Sequence, residues 1–206
     1  GVASLHPEVL HNRAAQGLYQ PGLILQPFIS AAAIETGDLD LTTPLDDPFR
    51  PVTINDQVLR CMLPRDEIVE DPLTWADMGQ LRCPAPLQAL GEQLGAPALQ
   101  DILDGFGFGQ TPGTPVMAAG QVAGIKDAGL AAIGQDTLTI TPLQAARATA
   151  ALVGDGRLPD LRLVDRLQGS DRNWVIQPPG TPASSPGLVS APTAASIREG
   201  WTLDEG

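Results

Sequence analysis

The sequence predicts an α+β fold that is mostly helical, with one or two small hairpins. Three observations predict it. A helical stretch opens at Thr141-Pro142 and closes at Gly154 and Gly156. Leu87, Leu90 and Leu94 recur at helical spacing. β-prone residues stand in short arms beside turn-forming residues, around Asn55-Asp56 and around Gly169 to Arg172.

In chain order, residues 27–36 read as a helix. Pro27 suits a first turn, Phe28, Ile29 and Ala31 to Ile34 make a nearly unbroken apolar run, and Gly37 ends it. A helix that apolar belongs in the core. Residues 38–71 form a loop-rich crossing of Pro, Asp and Thr with a small hairpin in VTINDQVLRCML, whose Val52, Ile54, Val58 and Leu59 line short strands.

Helical spacing returns over 73–81, 84–94 and 98–103, with Gly95 and Gly105 as natural stops. GFGFGQTPGTPV, residues 105–116, holds too many Gly and Pro for a regular element, and no Lys-Ser/Thr pair follows it to make a phosphate loop. Thr141 caps the next helix, which carries Leu143, Ala146, Ala150 and Val153 on one face. Residues 162–177 read as a hairpin, 178–187 as an exposed Pro, Ser and Gly connection, and 191–199 as a last short helix. No repeat supports a solenoid, and residues 1–206 read as one domain, a partial one.

Composition narrows the function classes. With 24 acidic residues against 12 basic ones, one Lys and eleven Arg, the net charge is -12. A phosphate backbone would be repelled, so nucleic acid is a poor partner. No run of about 18 apolar residues marks a membrane span, and no charged n-region or h-region marks a signal peptide. Beginning at Gly1 without Met, the chain reads as a processed or excised piece of a larger protein.

Cys61 and Cys83 allow one internal disulfide, and His6 and His11 lie near the N-terminus. Without a Cys-x-x-Cys pair, a His-Glu-x-x-His or clustered His, no zinc site is expected. Two buried thiols are the favoured reading of the cysteines, because Cys behaves as a small hydrophobe. The disulfide is the alternative.

YQPGLILQPF, beginning at Tyr19, resembles the Tyr-x-Pro-Gly-Ser-x-x-Lys-Pro-Phe stretch at the head of the active-site helix in penicillin-binding transpeptidases. Leu23 stands at the position of the acylated Ser and Gln26 at that of the Lys that helps take its proton. An alkyl chain has no lone pair to attack a carbonyl, and an amide is no general base near neutral pH. LTWADMGQLRCPAPLQALGEQLG resembles the helix pair of the second motif, where Arg82-Cys83-Pro84 falls on Ser-Cys-Asn. Arg82 and Pro84 replace both polar positions. GFGFGQ and AAIGQDTLTITPLQAARATAALVGDGRL are similar to later family segments, with Asp136 in place of a Gly.

The resemblance runs in order over residues 12–201. It implies a transpeptidase-like fold of which this piece lacks most of the central antiparallel sheet. The family places one Lys in the first motif and another in a Lys-Thr-Gly motif, whereas this chain has only Lys126, outside both positions. Losing the nucleophile of a cooperating set costs on the order of 10^6 in rate. No catalytic residue, cofactor or metal is therefore expected.

The resemblance implies a catalytically inactive module with a binding or assembly role in bacterial cell-wall synthesis, at the extracytoplasmic face of the cytoplasmic membrane. Its partners would be other cell-envelope proteins or a second copy, with peptidoglycan peptide held without turnover as a further one. This segment itself makes no membrane contact. The alternative is a fragment of an active D,D-transpeptidase whose missing groups lie elsewhere. Around Leu23 and Gln26 the vacated site is expected to be filled by apolar side chains such as Ile24 and Leu25, rather than to stay open. Arg82 is expected to pair with an acidic side chain rather than to recruit an external carboxylate. Ser30 reads as a small helix-packing residue, Ser184 and Ser185 lack a nearby base, and Trp75 reads as helix packing.

Overall fold

Apolar helix faces and two aromatic rings from a glycine-rich turn build the core in the computed structural model, which describes residues 11–65, 72–111, 118–161, 164, 166–176 and 188–201. Helix α1 (Arg13–Gln16) is started by Asn12, whose Oδ1 accepts from the amides of Ala14 and Ala15. A 3-10 turn over Gly22–Leu25 runs directly into α2 (Gln26–Thr36), and Gly37 closes α2 at φ 81°, a left-handed conformation that costs glycine little. As the run of apolar residues requires, Phe28, Ile29, Ala31 and Ala33 are buried.

The first hairpin, β1 (Val52–Ile54) with β2 (Gln57–Leu59), is antiparallel with Val52 opposite Leu59 and Ile54 opposite Gln57. Asn55 and Asp56 both take positive φ, 48° and 63°, as a two-residue loop between twisted strands requires. Over 73–81 the chain forms a 3-10 turn (Trp75–Asp77) leading into α3 (Met78–Leu81), with Thr74 and Asp77 in a capping box. Trp75 is buried in the core.

Helix α4 (Pro84–Gly105) covers both predicted helical stretches, which meet at Gly95, where the backbone is not helical (φ 77°, ψ 165°) and the first stretch stops as the sequence predicts. Beyond it, Phe106 and Phe108 fold back onto Phe28 with ring centroids at 5.0 and 5.3 Å, the second edge-on. Gly107 between them, at φ 77°, lets the backbone turn tightly enough to deliver both rings to α2. Helix α5 (Ala128–Ala132) lies against α4.

Helix α6 (Pro142–Val153) starts where the sequence predicts, with a capping box between Thr141 and Gln144. Its buried face is a different one. Gln144, Ala148, Ala151 and Leu152 point inward, while Ala146, Ala150 and Val153 are exposed. The reason is polar: Gln144 Nε2 donates to the carbonyls of Phe108 at 2.8 Å and Gln110 at 2.9 Å. The glycine-rich turn has no ladder of its own to satisfy those carbonyls, so α6 turns its glutamine inward.

The second hairpin, β3 (Arg166–Gln168) with β4 (Trp174–Ile176), is antiparallel and exposed along both strands. Helix α7 (Ala191–Trp201) closes the described chain and lies against α2 and α6. The two sheets among the described residues each have two strands. Residues 178–187, with Ser184 and Ser185, and His6 lie outside the described residues. No helix among the described residues is long and apolar enough to cross a membrane.

Cys61 and Cys83 form a disulfide, which corrects the reading as free buried thiols. The hairpin returns the chain to the end of α3, where the amide of Met62 donates to the carbonyl of Leu81 at 3.0 Å. That backbone contact brings the two thiols together across 22 residues of sequence.

Candidate functional site

Successive residues of a 3-10 turn project about 120° apart, and residues three apart eclipse one another. In the turn preceding α2 this geometry separates three adjacent apolar side chains. Leu25 is fully buried, Leu23 is half-buried and Ile24 is 54% exposed. It also puts Leu23 and Gln26 on one side, linked by the amide of Gln26 donating to the carbonyl of Leu23.

That side faces a cleft of about 950 Å³, walled by the head of α2, the irregular segment following β2, α3, α6 and α7. The apolar filling expected at this position is partial, with Leu23 packed against the core from the cleft side. One of the three consecutive apolar residues enters the core, and the other two border open space.

Gln26 is 3% exposed, and its Nε2 donates to the carbonyl of Met78 at 2.8 Å. The amide thus ties the first turn of α2 to α3. A side chain used as a donor to a backbone carbonyl abstracts no proton, and a neutral amide has no basic lone pair to offer.

Arg82 stands at the C-terminal end of α3 in a left-handed conformation, φ 46° and ψ 57°, and lies at the cleft. It makes no ion pair with a described carboxylate; its Nη1 lies 3.9 Å from Met62 Sδ. The left-handed turn at the end of α3 places it at the cleft. Pro84 is buried as the first residue of α4 and does not line the cleft. Leu23, Gln26 and Arg82 are thus brought together, and Pro84 is set apart.

Sequence reasoning missed Arg60, Met62, Val153, Arg198 and Trp201 in the same wall. Arg60 and Met62 flank Cys61, so the disulfide fixes their place beside Arg82. Arg198 Nη1 donates to the carbonyls of Leu152, Val153 and Gly154 at 3.2, 2.9 and 2.7 Å, capping the end of α6 with positive charge. Trp201 lies across Gly79 so closely that a Cβ there would fall inside van der Waals contact with the indole. No local pattern marks these residues as neighbours; the fold gathers them from three segments.

Ser30 is fully buried one turn beyond Gln26, and its Oγ has no hydrogen-bond partner among the described residues. It is a small residue packed within α2. Elsewhere, Glu35 at the end of α2 accepts from Thr193 Oγ1 at 2.6 Å and from the amide of Ser190 at 2.8 Å, tying α2 to the start of α7. The Thr193 hydroxyl, then the Ser190 amide, hold its pKa below the ordinary carboxylate value. No cluster of three metal-ligating side chains occurs among the described residues.

Residues 3–200 match the Penicillin binding protein transpeptidase domain family. The peptidoglycan D,D-transpeptidase PbpA of Mycolicibacterium smegmatis is 27% identical over 195 residues, covering 92% of this chain and 39% of the relative. Penicillin binding protein 3 of Mycobacterium tuberculosis, in its apo form, superposes with a TM-score of 0.74 at 24% identity, over 92% of this chain and 42% of that one. A peptidoglycan synthetase from Bifidobacterium adolescentis gives a TM-score of 0.73 at 14% identity, over 92% of this chain and 35% of that one. The chain therefore spans about two fifths of the relatives it matches.

Proposed function

The chain belongs to the penicillin-binding protein transpeptidase domain family, and on that premise we propose that it is a catalytically inactive member that binds rather than turns over, in bacterial cell-wall synthesis at the extracytoplasmic face of the membrane. One observation carries the reading. At the head of α2, where the family's nucleophile and base stand by resemblance, Leu23 supplies an alkyl chain and Gln26 spends its amide on the carbonyl of Met78. Acyl transfer needs a lone pair at the first position and a proton acceptor at the second. Lys126, the chain's only lysine, is in the sequence between α4 and α5 and is absent from the cleft wall.

Intact mass spectrometry of the purified chain, before and after incubation with excess benzylpenicillin, tests this. The expected result is no added mass. A stoichiometric adduct would overturn it, and the adduct's peptide would name the nucleophile.

A second reading, a fragment of an active D,D-transpeptidase completed by groups outside these residues, is favoured by coverage of only 39% of a relative named for that activity. It leaves Leu23 unaccounted for. Acylation of a longer parent chain at a residue outside the present 206 would support it.

A further inference from the structure

The cleft carries a charge pattern opposite to that of the whole chain. The protein has 24 acidic residues and 12 basic ones, yet Arg60, Arg82 and Arg198 line the cleft and none of the described Asp or Glu residues does. Arg198 is partly compensated by the carbonyls at the end of α6. Arg60 and Arg82 are exposed and meet no described carboxylate. Between the arginines the wall is apolar, with Ile24, Met62 and Val153 exposed by 54%, 69% and 64%.

Apolar surface of this extent gains by being covered, and guanidinium groups with no described carboxylate beside them gain by donating to one. The disulfide holds both requirements in one place, because Arg60 and Met62 flank Cys61 while Arg82 precedes Cys83. A rim held covalently loses little freedom when an occupant arrives.

We propose that this cleft docks an acidic, apolar segment of a partner protein: a stretch whose leucine- or phenylalanine-type side chains enter between Ile24, Met62 and Val153 and whose Asp or Glu carboxylates pair with Arg60 and Arg82. The proposal rests on the non-catalytic reading, since it gives the position of a vacated active site to a protein ligand. A second copy fits less well, because two chains at net charge -12 repel each other over their whole surfaces. A short segment brings its few charges to the arginines alone.

The test is fluorescence anisotropy with a fluorescein-labelled peptide alternating Leu and Phe with Asp and Glu, titrated with the disulfide-bonded chain. Saturable binding is expected, weakened about ten-fold or more by the double change Arg60→Glu and Arg82→Glu. An Asn/Gln version of the peptide should lose affinity similarly, and Arg50→Glu, an exposed arginine outside the cleft, should change nothing. Val153→Asp puts a carboxylate on the wall at a solvent-exposed site, so it should weaken binding with the circular dichroism spectrum unchanged. Absence of saturation, or binding indifferent to both the charge reversal and Val153→Asp, would overturn the proposal. So would sedimentation of a dimer that Val153→Asp dissociates, which would give the cleft to a second copy. A penicillin adduct reads out separately by mass and would sink the non-catalytic reading whatever the peptide does.

Discussion

Gln26 and Arg82, 56 residues apart in sequence, share one acceptor: Gln26 Nε2 at 2.8 Å and the Arg82 amide at 3.0 Å both donate to the carbonyl of Met78. The two segments that resemble the family's first and second motifs are therefore joined at one backbone oxygen. The Gln26 side chain is a structural tie between them.

Removing that tie has a measurable cost. Gln26→Ala takes away a buried donor and leaves a void against α3, with the Arg82 amide still satisfying one lone pair of the carbonyl. We expect a loss of about 1–3 kcal/mol, read from the urea midpoint at unchanged slope. An unchanged midpoint would mean that water takes the place of the amide.

Gln144→Ala should cost more. It removes half of the capping box that starts α6 and strips two close donor contacts from the carbonyls of Phe108 and Gln110. The sum of a lost cap and unpaired buried carbonyls is about 3 kcal/mol. Gln144→Glu keeps the cap acceptor but sets a buried carboxylate against the carbonyls of Phe108 and Gln110, so at neutral pH it should be no more stable than Gln144→Ala in the same denaturation experiment.

Reduction of Cys61–Cys83 reopens a loop of 22 residues of sequence separation. The entropy returned to the unfolded chain corresponds to about 3 kcal/mol. Thermal unfolding with and without reductant should differ by roughly 10 °C. The reduced chain should also lose affinity for the acidic peptide, because Arg60 and Arg82 would no longer be held on one rim.

Glu35 predicts an acid-sensitive contact between α2 and α7. Its folded pKa lies below the ordinary value of 4.5, so the carboxylate form stabilises the fold above that pH, and the contribution is lost as pH falls through the folded value. The stability difference between the native chain and Glu35→Gln should be constant near neutrality and shrink below about pH 4.5. A difference that persisted unchanged into acid would show that charge has no part in the contact.

Much of the fold was legible locally. Gly37, the Asn55-Asp56 turn and Thr141 with Pro142 each act where the sequence places them, because a left-handed φ, a two-residue loop and a helix cap depend on residues a few positions apart. The side of α6 that faces inward was not legible. An apolar stripe through Leu143 and Val153 suggested one face, and the carbonyls of a distant glycine-rich turn selected another through Gln144.

The sequence by itself determined the order of helices and hairpins and the side chains available at positions 23 and 26, since those are matters of local conformation and of residue identity. The tertiary structure decided that Cys61 meets Cys83, that the space beside Leu23 is an open cleft and that three arginines of an acidic chain converge on it. These outcomes depend on which segments the burial of Phe28, Phe106, Phe108 and their neighbours draws together. Burial is non-directional and acts between residues at any separation, so no short window of sequence records its result.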